Sequence, residues 1–127
     1  MSRQLHDHKI NPFNDQHVRV AAIDEPDENA GGACHEYLIS IQQAPETVAD
    51  ETTLKFQHGP VQEAGVNGIT DQALIAIILD RWRAFQKSKW ANRETAVSIT
   101  KLEEALMWQH KRTIDRLARK VEGTNEL

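Results

Sequence analysis

Apolar residues recur with one sustained period only between residues 70 and 121. In the first part of this segment they lie three and four residues apart, which is the spacing of one face of an α-helix. The repeating positions are Ala73, Leu74, Ile77, Ile78, Arg81, Trp82 and Phe85. Thr70 and Asp71 precede them and supply the side-chain chemistry of a helix N-terminus. The pattern therefore predicts a helix that begins near residue 71.

A similar stripe predicts a second helix, in which Asn92 is the N-cap and Glu94 complements the helix dipole. The stripe consists of Ile99, Leu102, Leu106, Thr113, Ile114, Leu117 and Val121. Because only residues 86–91 separate the two stripes, the second helix must return along the first. Ile75 and Leu79 lie off the first stripe, which predicts a second buried surface and a partner helix.

Short segments of alternating apolar and polar residues precede this hairpin, at 17–23, 35–42 and 52–57, with a loop through Pro45 before the last. We therefore predict an α+β fold in a single domain, with a small N-terminal antiparallel β-sheet of two or three strands followed by a long antiparallel two-helix hairpin. In this division, residues 1–16 are a flexible arm, 17–57 contain the strands, 58–69 form a glycine-rich loop, 70–121 form the hairpin and 122–127 form a tail.

Composition limits the class of protein. The chain has 127 residues, of which 39% are hydrophobic and 27% are charged, as in a soluble globular domain. It has no apolar run of roughly 18 residues and no apolar core of a signal peptide at its N-terminus, so a cytoplasmic protein without a membrane span is expected. One cysteine and scattered histidines predict neither a disulfide nor a metal site.

Charge is distributed unevenly along the chain. Residues 1–68 carry a net charge of −7 and residues 69–121 a net charge of +5, within a total of −4. The negative total argues against binding to duplex nucleic acid. The basic hairpin is nevertheless compatible with a local anion site, because a phosphate responds mainly to nearby charges.

The loop before the hairpin contains three glycines, Gly59, Gly65 and Gly68, and leads into a helix N-terminus. Glycines permit positive φ angles and let a ligand approach the backbone. The G-K-[ST] ending of a P-loop is missing, so hydrolysis of a nucleoside triphosphate is not supported. A ligand-contacting loop and a turn-rich connection explain these glycines equally well.

The second helix carries a row of cations beside an aromatic ring. With an advance of 100° per residue, one narrow sector contains Lys101, Trp108, Arg112, Arg116 and Arg119. Guanidinium groups bind phosphates and an aromatic plane stacks on a base, so the row suits a nucleotide. The alternative is a solvated face whose cations complement the helix C-terminus. Both interpretations stay open on these residues; if the row binds a ligand, Arg112 and Arg116 are expected to contact it and to contribute little to the fold.

No candidate base lies beside a nucleophile in the sequence. Glu103 and Glu104 are adjacent, so their carboxylates diverge on a helix and cannot share a proton. Phe85 and Trp90, near the link between the helices, suit ligand stacking or a subunit contact. We therefore predict binding without turnover, with no catalytic residue and no cofactor.

Several of these segments resemble the phage hairpin proteins that act as nucleotide sponges. These are the Thoeris anti-defence proteins, which are related to the anti-CBASS sponges through a shared helical hairpin. The segments that carry the resemblance are G-P at 59–60, E-A-G-V-N-G-I-T at 63–70, D-R at 80–81, F-Q at 85–86, R-E at 93–94, T-K-L-E-E-A-L-M-W at 100–108, R-T at 112–113, D-R at 115–116 and V-E-G-T at 121–124.

The resemblance implies a protein that captures a cyclic ADP-ribose isomer intact in the host bacterial cytoplasm and so keeps an immune effector inactive. It implies a homo-oligomer, a dimer or a larger assembly such as a hexamer, with signal sites where protomers meet. It also leaves open a second site for cyclic di- or trinucleotides. The ligand-binding residues expected from the family and the two preceding patterns are Phe85, Thr95, Trp108, Arg112, Arg116, Gly59, Pro60 and Asn67.

The chain departs from the family pattern at three places. Thr95 stands where the family commonly has asparagine, Lys120 stands where glycine is usual, and K-S-K-W-A-N at 87–92 replaces a shorter apolar stretch. Two other functions remain alternatives. One is an oligomeric adaptor whose apolar faces serve only assembly, and the other is an enzyme that cleaves the signal.

Overall fold

A computed structural model describes residues 2–44 and 47–127 and has the predicted α+β fold. Its contacts group the chain into two units. The first contains the residues up to 59 and residues 64–69, and the second contains residues 60–63 and 70–127. No helix in the described residues has an apolar stretch long enough to cross a membrane.

The first unit contains four antiparallel strands in the order β1-β2-β3-β4. Their bounds are Arg3–Leu5, Val18–Ala22, Glu36–Ala44 and Thr47–Lys55. The three predicted strands are confirmed, although β4 begins five residues earlier than the alternating pattern indicated. The predicted loop through Pro45 lies outside the described residues.

Strand β1 is additional to the predicted two or three strands and lies inside the segment expected to be a flexible arm. It is three residues long, which is too short to show a two-residue period. It pairs with β2, with Arg3 opposite Ala22. His8 also contacts this strand pair, because its Nε2 lies 2.9 Å from the Val18 carbonyl oxygen.

The glycines of the loop have two different roles. Gly59 and Gly65 have φ angles of +85° and +74°, which a side chain would strain. A Cβ at Gly68 would lie 2.4 Å from the carbonyl carbon of Phe56, so the chain's own backbone occupies the space that a ligand was expected to use. The predicted loop also includes one helical turn, α1 (Val61–Ala64).

The helical hairpin is confirmed as α2 (Asp71–Gln86) and α3 (Arg93–Ala118). Both predicted N-caps form: Thr70 Oγ1 accepts a hydrogen bond from the Ala73 N–H, and Asn92 Oδ1 accepts one of 2.7 Å from the Thr95 N–H. α3 ends three residues before the predicted boundary at 121. An ion pair of 2.8 Å between Arg83 and Glu103 joins the two helices.

The packing face of α2 is rotated from the predicted one, although Leu74 and Trp82 of the predicted stripe are half-buried. Leu79, assigned to a partner surface, is the most buried side chain of the helix at 1% exposure, and Ile75 is half-buried. Ile77, assigned to the packing stripe, is 56% exposed. The inward stripe ends in Gln86, whose side chain bonds the Asn92 backbone through both of its polar atoms. A polar residue needed by the link therefore concealed the stripe from the apolar pattern.

α3 ends in a Schellman motif, in which the backbone doubles back through one left-handed residue. The Val121 N–H donates to the Arg116 carbonyl and the Lys120 N–H to the Leu117 carbonyl, both at 3.0 Å. The left-handed residue is Lys120, with φ +60°. An L-residue pays a conformational cost there that glycine does not.

We therefore expect Lys120→Gly to raise the free energy of unfolding by about 0.5–1 kcal/mol, since relief of the left-handed strain exceeds the entropy that glycine adds to the unfolded chain. Chemical denaturation measures the change. Lys87→Gly is the matched control, because Lys87 caps α2 at φ −90°, where glycine relieves nothing. An equal response of both variants would contradict the explanation.

Candidate functional site

The C-terminal half of α3 borders a cavity of about 400 Å³. Trp108 lies on it with 59% of its surface exposed, and the next residues along the same sector of the helix are cationic. The lining residues are Trp108, Lys111, Arg112, Asp115, Arg116, Arg119 and Leu127. Four of the five residues of the predicted row therefore meet at one cavity, and Lys101 does not.

Arg112 is the available cation of this cavity. Among residues 2–44 and 47–127 it makes no ion pair and no hydrogen bond. The nearby carboxylate of Asp115 is engaged by Lys111, with 2.6 Å between Nζ and Oδ2. The guanidinium of Arg112 is thus left with its donors open to an anion.

Arg116 has a different environment, and the expectation that it contributes little to the fold is wrong. It is 9% exposed and donates to three backbone carbonyls, those of Val121, Thr124 and Glu126, at 2.7–3.1 Å. Its Nε also lies 3.4 Å from Glu122 Oε2. Arg116 is at the border between the exposed cation row and the inward stripe of α3, and residues 121–126 cover it there.

A second contact fixes this covering segment. The Gln62 N–H donates to the Gly123 carbonyl at 2.9 Å, and Gln62 Nε2 donates to the Glu122 carbonyl at 2.7 Å. Gly123 has φ +80°, and a Cβ there would come within 3.0 Å of the Gln62 side chain. The V-E-G-T motif and the turn that begins at Pro60 are therefore parts of one structural contact in the second unit. Pro60 itself accepts a hydrogen bond from the Glu63 N–H.

Phe85 and Thr95 lie at the other end of the hairpin, where α2 ends and α3 begins. Phe85 is exposed and its ring lies 5.4 Å from the Arg81 guanidinium carbon. Thr95 is half-buried and precedes Trp108 by 13 residues, which is about 20 Å along a helix. One hairpin therefore does not bring these two residues to the cavity at Arg112.

The remaining predicted residues, Gly59 and Asn67, belong to the first unit. The side-chain amide of Asn67 is used within the loop: its Oδ1 accepts from the His58 N–H and its Nδ2 donates to the His58 carbonyl, both at 2.8 Å. Its own N–H donates to Gln57 Oε1. These bonds favour the turn-rich connection over a ligand-contacting loop.

A second cavity of about 470 Å³ lies on the hairpin and was missed by the sequence analysis. It is lined by Arg83, Glu103, Leu106, Met107, His110, Lys111 and Ile114. The available signal was the spacing of Met107, His110 and Ile114, which places them on one face of α3. Within the described parts of the chain, no group of three metal-ligating side chains comes together.

The fold is that of a helical-hairpin protein, and the cavity beside Trp108 and Arg112 is lined mainly by cationic side chains. Residues 51–113, about half of the chain, match the family model described as the Acb2/Tad1 hairpin domain. Over 74 residues the chain is 54% identical to the Bacillus phage SBSphiJ7 protein named Thoeris anti-defense 1. The aligned segment covers 58% of this chain and 52% of that protein, so the chain spans about half of its relative's length. The resemblance to the Thoeris anti-defence proteins is confirmed.

Proposed function

We propose that this protein is a Thoeris anti-defence sponge, which binds a cyclic ADP-ribose-type signal in the host bacterial cytoplasm, holds it without cleavage and so blocks activation of the Thoeris effector. The observation that carries the proposal is the guanidinium of Arg112, which has no partner among the described residues, beside the exposed ring of Trp108 in one cavity. The similarity to Thoeris anti-defense 1 supports it.

The chemistry of this cavity suits such a ligand. A pyrophosphate accepts paired hydrogen bonds from guanidinium groups, and Arg112 and Arg119 both border the cavity. A base or ribose needs an aromatic or apolar plane, which Trp108 supplies. A volume of about 400 Å³ lies within the usual range of small-molecule sites. Arg116 can bind the ligand only if its N–H groups give up their hydrogen bonds to the carbonyls of residues 121–126.

The complete site is proposed to form between copies of the chain. Thr95 is about 20 Å along α3 from Trp108, and Phe85 lies at the same end of the hairpin as Thr95. A single ligand therefore contacts both groups only when one copy supplies Phe85 and Thr95 and its partner supplies Trp108 and Arg112. Several apolar side chains of the hairpin are exposed and available for such assembly, among them Ile77, Ile114 and Leu117.

We expect a homo-oligomer, a dimer or a larger assembly such as a hexamer, because these apolar side chains stay exposed in one copy. Light scattering at micromolar concentration measures the mass. Ile77→Glu places a charge on the exposed surface and should lower the mass, whereas Val66→Glu, at an exposed position of the first unit, should not. A monomeric parent protein would refute the assembly.

The environment of Asp115 in the cavity supports binding without turnover. Asp115 is the carboxylate side chain among the lining residues, and its hydrogen bond with Lys111 leaves it poorly placed as a general base. Calorimetry against a panel of cyclic ADP-ribose isomers, followed by denaturation and mass analysis of the nucleotide, tests this. Recovery of an altered nucleotide would establish an enzyme.

We expect Arg112→Ala to weaken signal binding by about 1.5–3 kcal/mol, which is roughly 10- to 150-fold, because a charge-assisted hydrogen bond is lost. Calorimetry measures the affinity, and a thermal melt without ligand should be nearly unchanged. Lys101→Ala is the matched control, since Lys101 lies on the same sector of α3 outside the cavity. Equal affinity of Arg112→Ala and the parent would favour the solvated-face alternative.

A non-enzymatic oligomeric adaptor is the second candidate, and the exposed apolar surface of the hairpin favours it. An adaptor would form the same oligomer but bind no cyclic nucleotide.

We also propose the cavity around Met107 and His110 as the place for cyclic di- or trinucleotides of CBASS systems, because Arg83 and Lys111 border it. Competition calorimetry with the first ligand present distinguishes two sites from one.

A further inference from the structure

Three side chains of the first unit meet where β3 begins and β4 ends. The rings of His35 and His58 are stacked with their centroids 4.1 Å apart and their planes within 1° of parallel. His58 Nε2 lies 2.7 Å from Asp27 Oδ2. We call Asp27, His35 and His58 the histidine clasp. None of the three is among the residues proposed to contact the signal.

The two imidazoles have unequal surroundings. His58 is partly exposed, and its Nε2 has the Asp27 carboxylate as a partner. His35 is 9% exposed, and its Nδ1 is buried without a hydrogen-bond partner among the described residues. A second proton on the stack would therefore bury a charge on His35, about 4 Å from a like charge.

Charged groups of the neighbouring segments face this stack. The hydrogen bond from His58 lowers the pKa of Asp27. Burial raises the pKa of Asp24, but hydrogen bonds from the N–H groups of His35 and Glu36 outweigh burial and the net shift is downward. Both carboxylates thus stay ionised where histidines titrate. On the remaining side, Glu36 and Lys55 border the cavity next to both rings and lie 3.9 Å apart.

We propose that the histidine clasp is a proton-linked fastener, in which the two stacked rings hold at most one proton, carried by His58, and a second proton separates them. The change reaches the glycine-rich loop because the backbone N–H and carbonyl of His58 are both held by the Asn67 side chain. The strongest clasp is the singly protonated one. An ordinary imidazole gains its proton near pH 6.5. The second proton, which acidification adds, therefore loosens the loop.

Histidine-labelled NMR of the full chain from about pH 8 to about pH 5 counts the protons. The His58→Gln and His35→Gln variants assign the ring signals. We expect the His58 signal to complete its protonation shift and the His35 signal to move by less than about one fifth of a full shift while the rings remain stacked. Complete independent shifts of both rings, with the ring-to-ring contact intact, would overturn the proposal.

Hydrogen exchange reports the loop. From about pH 7 to about pH 5 the protection factor of the His58 amide should fall about tenfold in the parent. In His35→Phe, which keeps an aromatic ring but cannot gain a charge, it should stay constant. His6→Phe removes an exposed histidine outside the clasp and should behave like the parent. The proposal is wrong if the protection factor of the His58 amide falls in His35→Phe as it does in the parent, or if it does not fall in the parent.

Discussion

Arg116→Ala is expected to lower the free energy of unfolding by about 2–4 kcal/mol, because it removes three hydrogen bonds to backbone carbonyls and leaves the partly buried Glu122 without its cation. For a chain of this length the melting temperature should fall by roughly 10 °C. Chemical denaturation without ligand is the measurement.

Arg112→Ala is the matched control, because it removes the same side chain one helical turn earlier, where it makes no ion pair or hydrogen bond with described residues. It should cost less than about 0.5 kcal/mol. Arg116→Lys keeps the charge but lacks the planar fork, so it should recover less than half of the loss. Equal stability of Arg112→Ala and Arg116→Ala would show that Arg116 does not stabilise the fold and belongs with the exposed cations.

Arg116→Ala could weaken signal binding for two reasons: loss of a direct contact with the signal, or loss of order in residues 121–126. If Arg116 touches the signal, Arg116→Ala should weaken binding by more than its effect on the order of residues 121–126 explains. Glu122→Gln loosens the same segment and leaves the guanidinium in place, so it measures the structural part alone. Comparable affinities of Arg116→Ala and Glu122→Gln would make Arg116 a residue that shapes the cavity.

Local chemistry made much of this fold predictable. The N-caps at Thr70 and Asn92 follow from side chains that bond the next turn, and the short link forces the two helices to be antiparallel. β1 and its pairing with β2 were not predictable, because a three-residue strand has no period and its stability comes from its partner.

The candidate site was predictable only in part. Helical spacing correctly placed Trp108, Arg112, Arg116 and Arg119 at one cavity, since spacing along a helix fixes direction. It could not show that residues 121–126 return over Arg116, because that contact depends on the Schellman turn at Lys120 and on Gln62, which is far away in sequence. Likewise, no periodicity could bring His35 and His58 into one stack.

Helix α2 has two apolar faces, and Leu79→Ala tests which of them packs on α3. Periodicity identifies an apolar face but does not say which of two faces meets α3. Leu79 is 1% exposed, so truncation should leave a cavity and lower the free energy of unfolding by about 2–5 kcal/mol in chemical denaturation.

Ile77→Ala is the control on the opposite face, where the side chain is 56% exposed in one copy. It should cost less than about 1 kcal/mol in the dilute monomer, and more at concentrations where copies assemble, because association stabilises the folded state by mass action. Leu79→Ala should be equally damaging at both concentrations. If Ile77→Ala proved the more costly change in the monomer, Ile77 would face α3 and the stripe first indicated by the sequence would be the packing face.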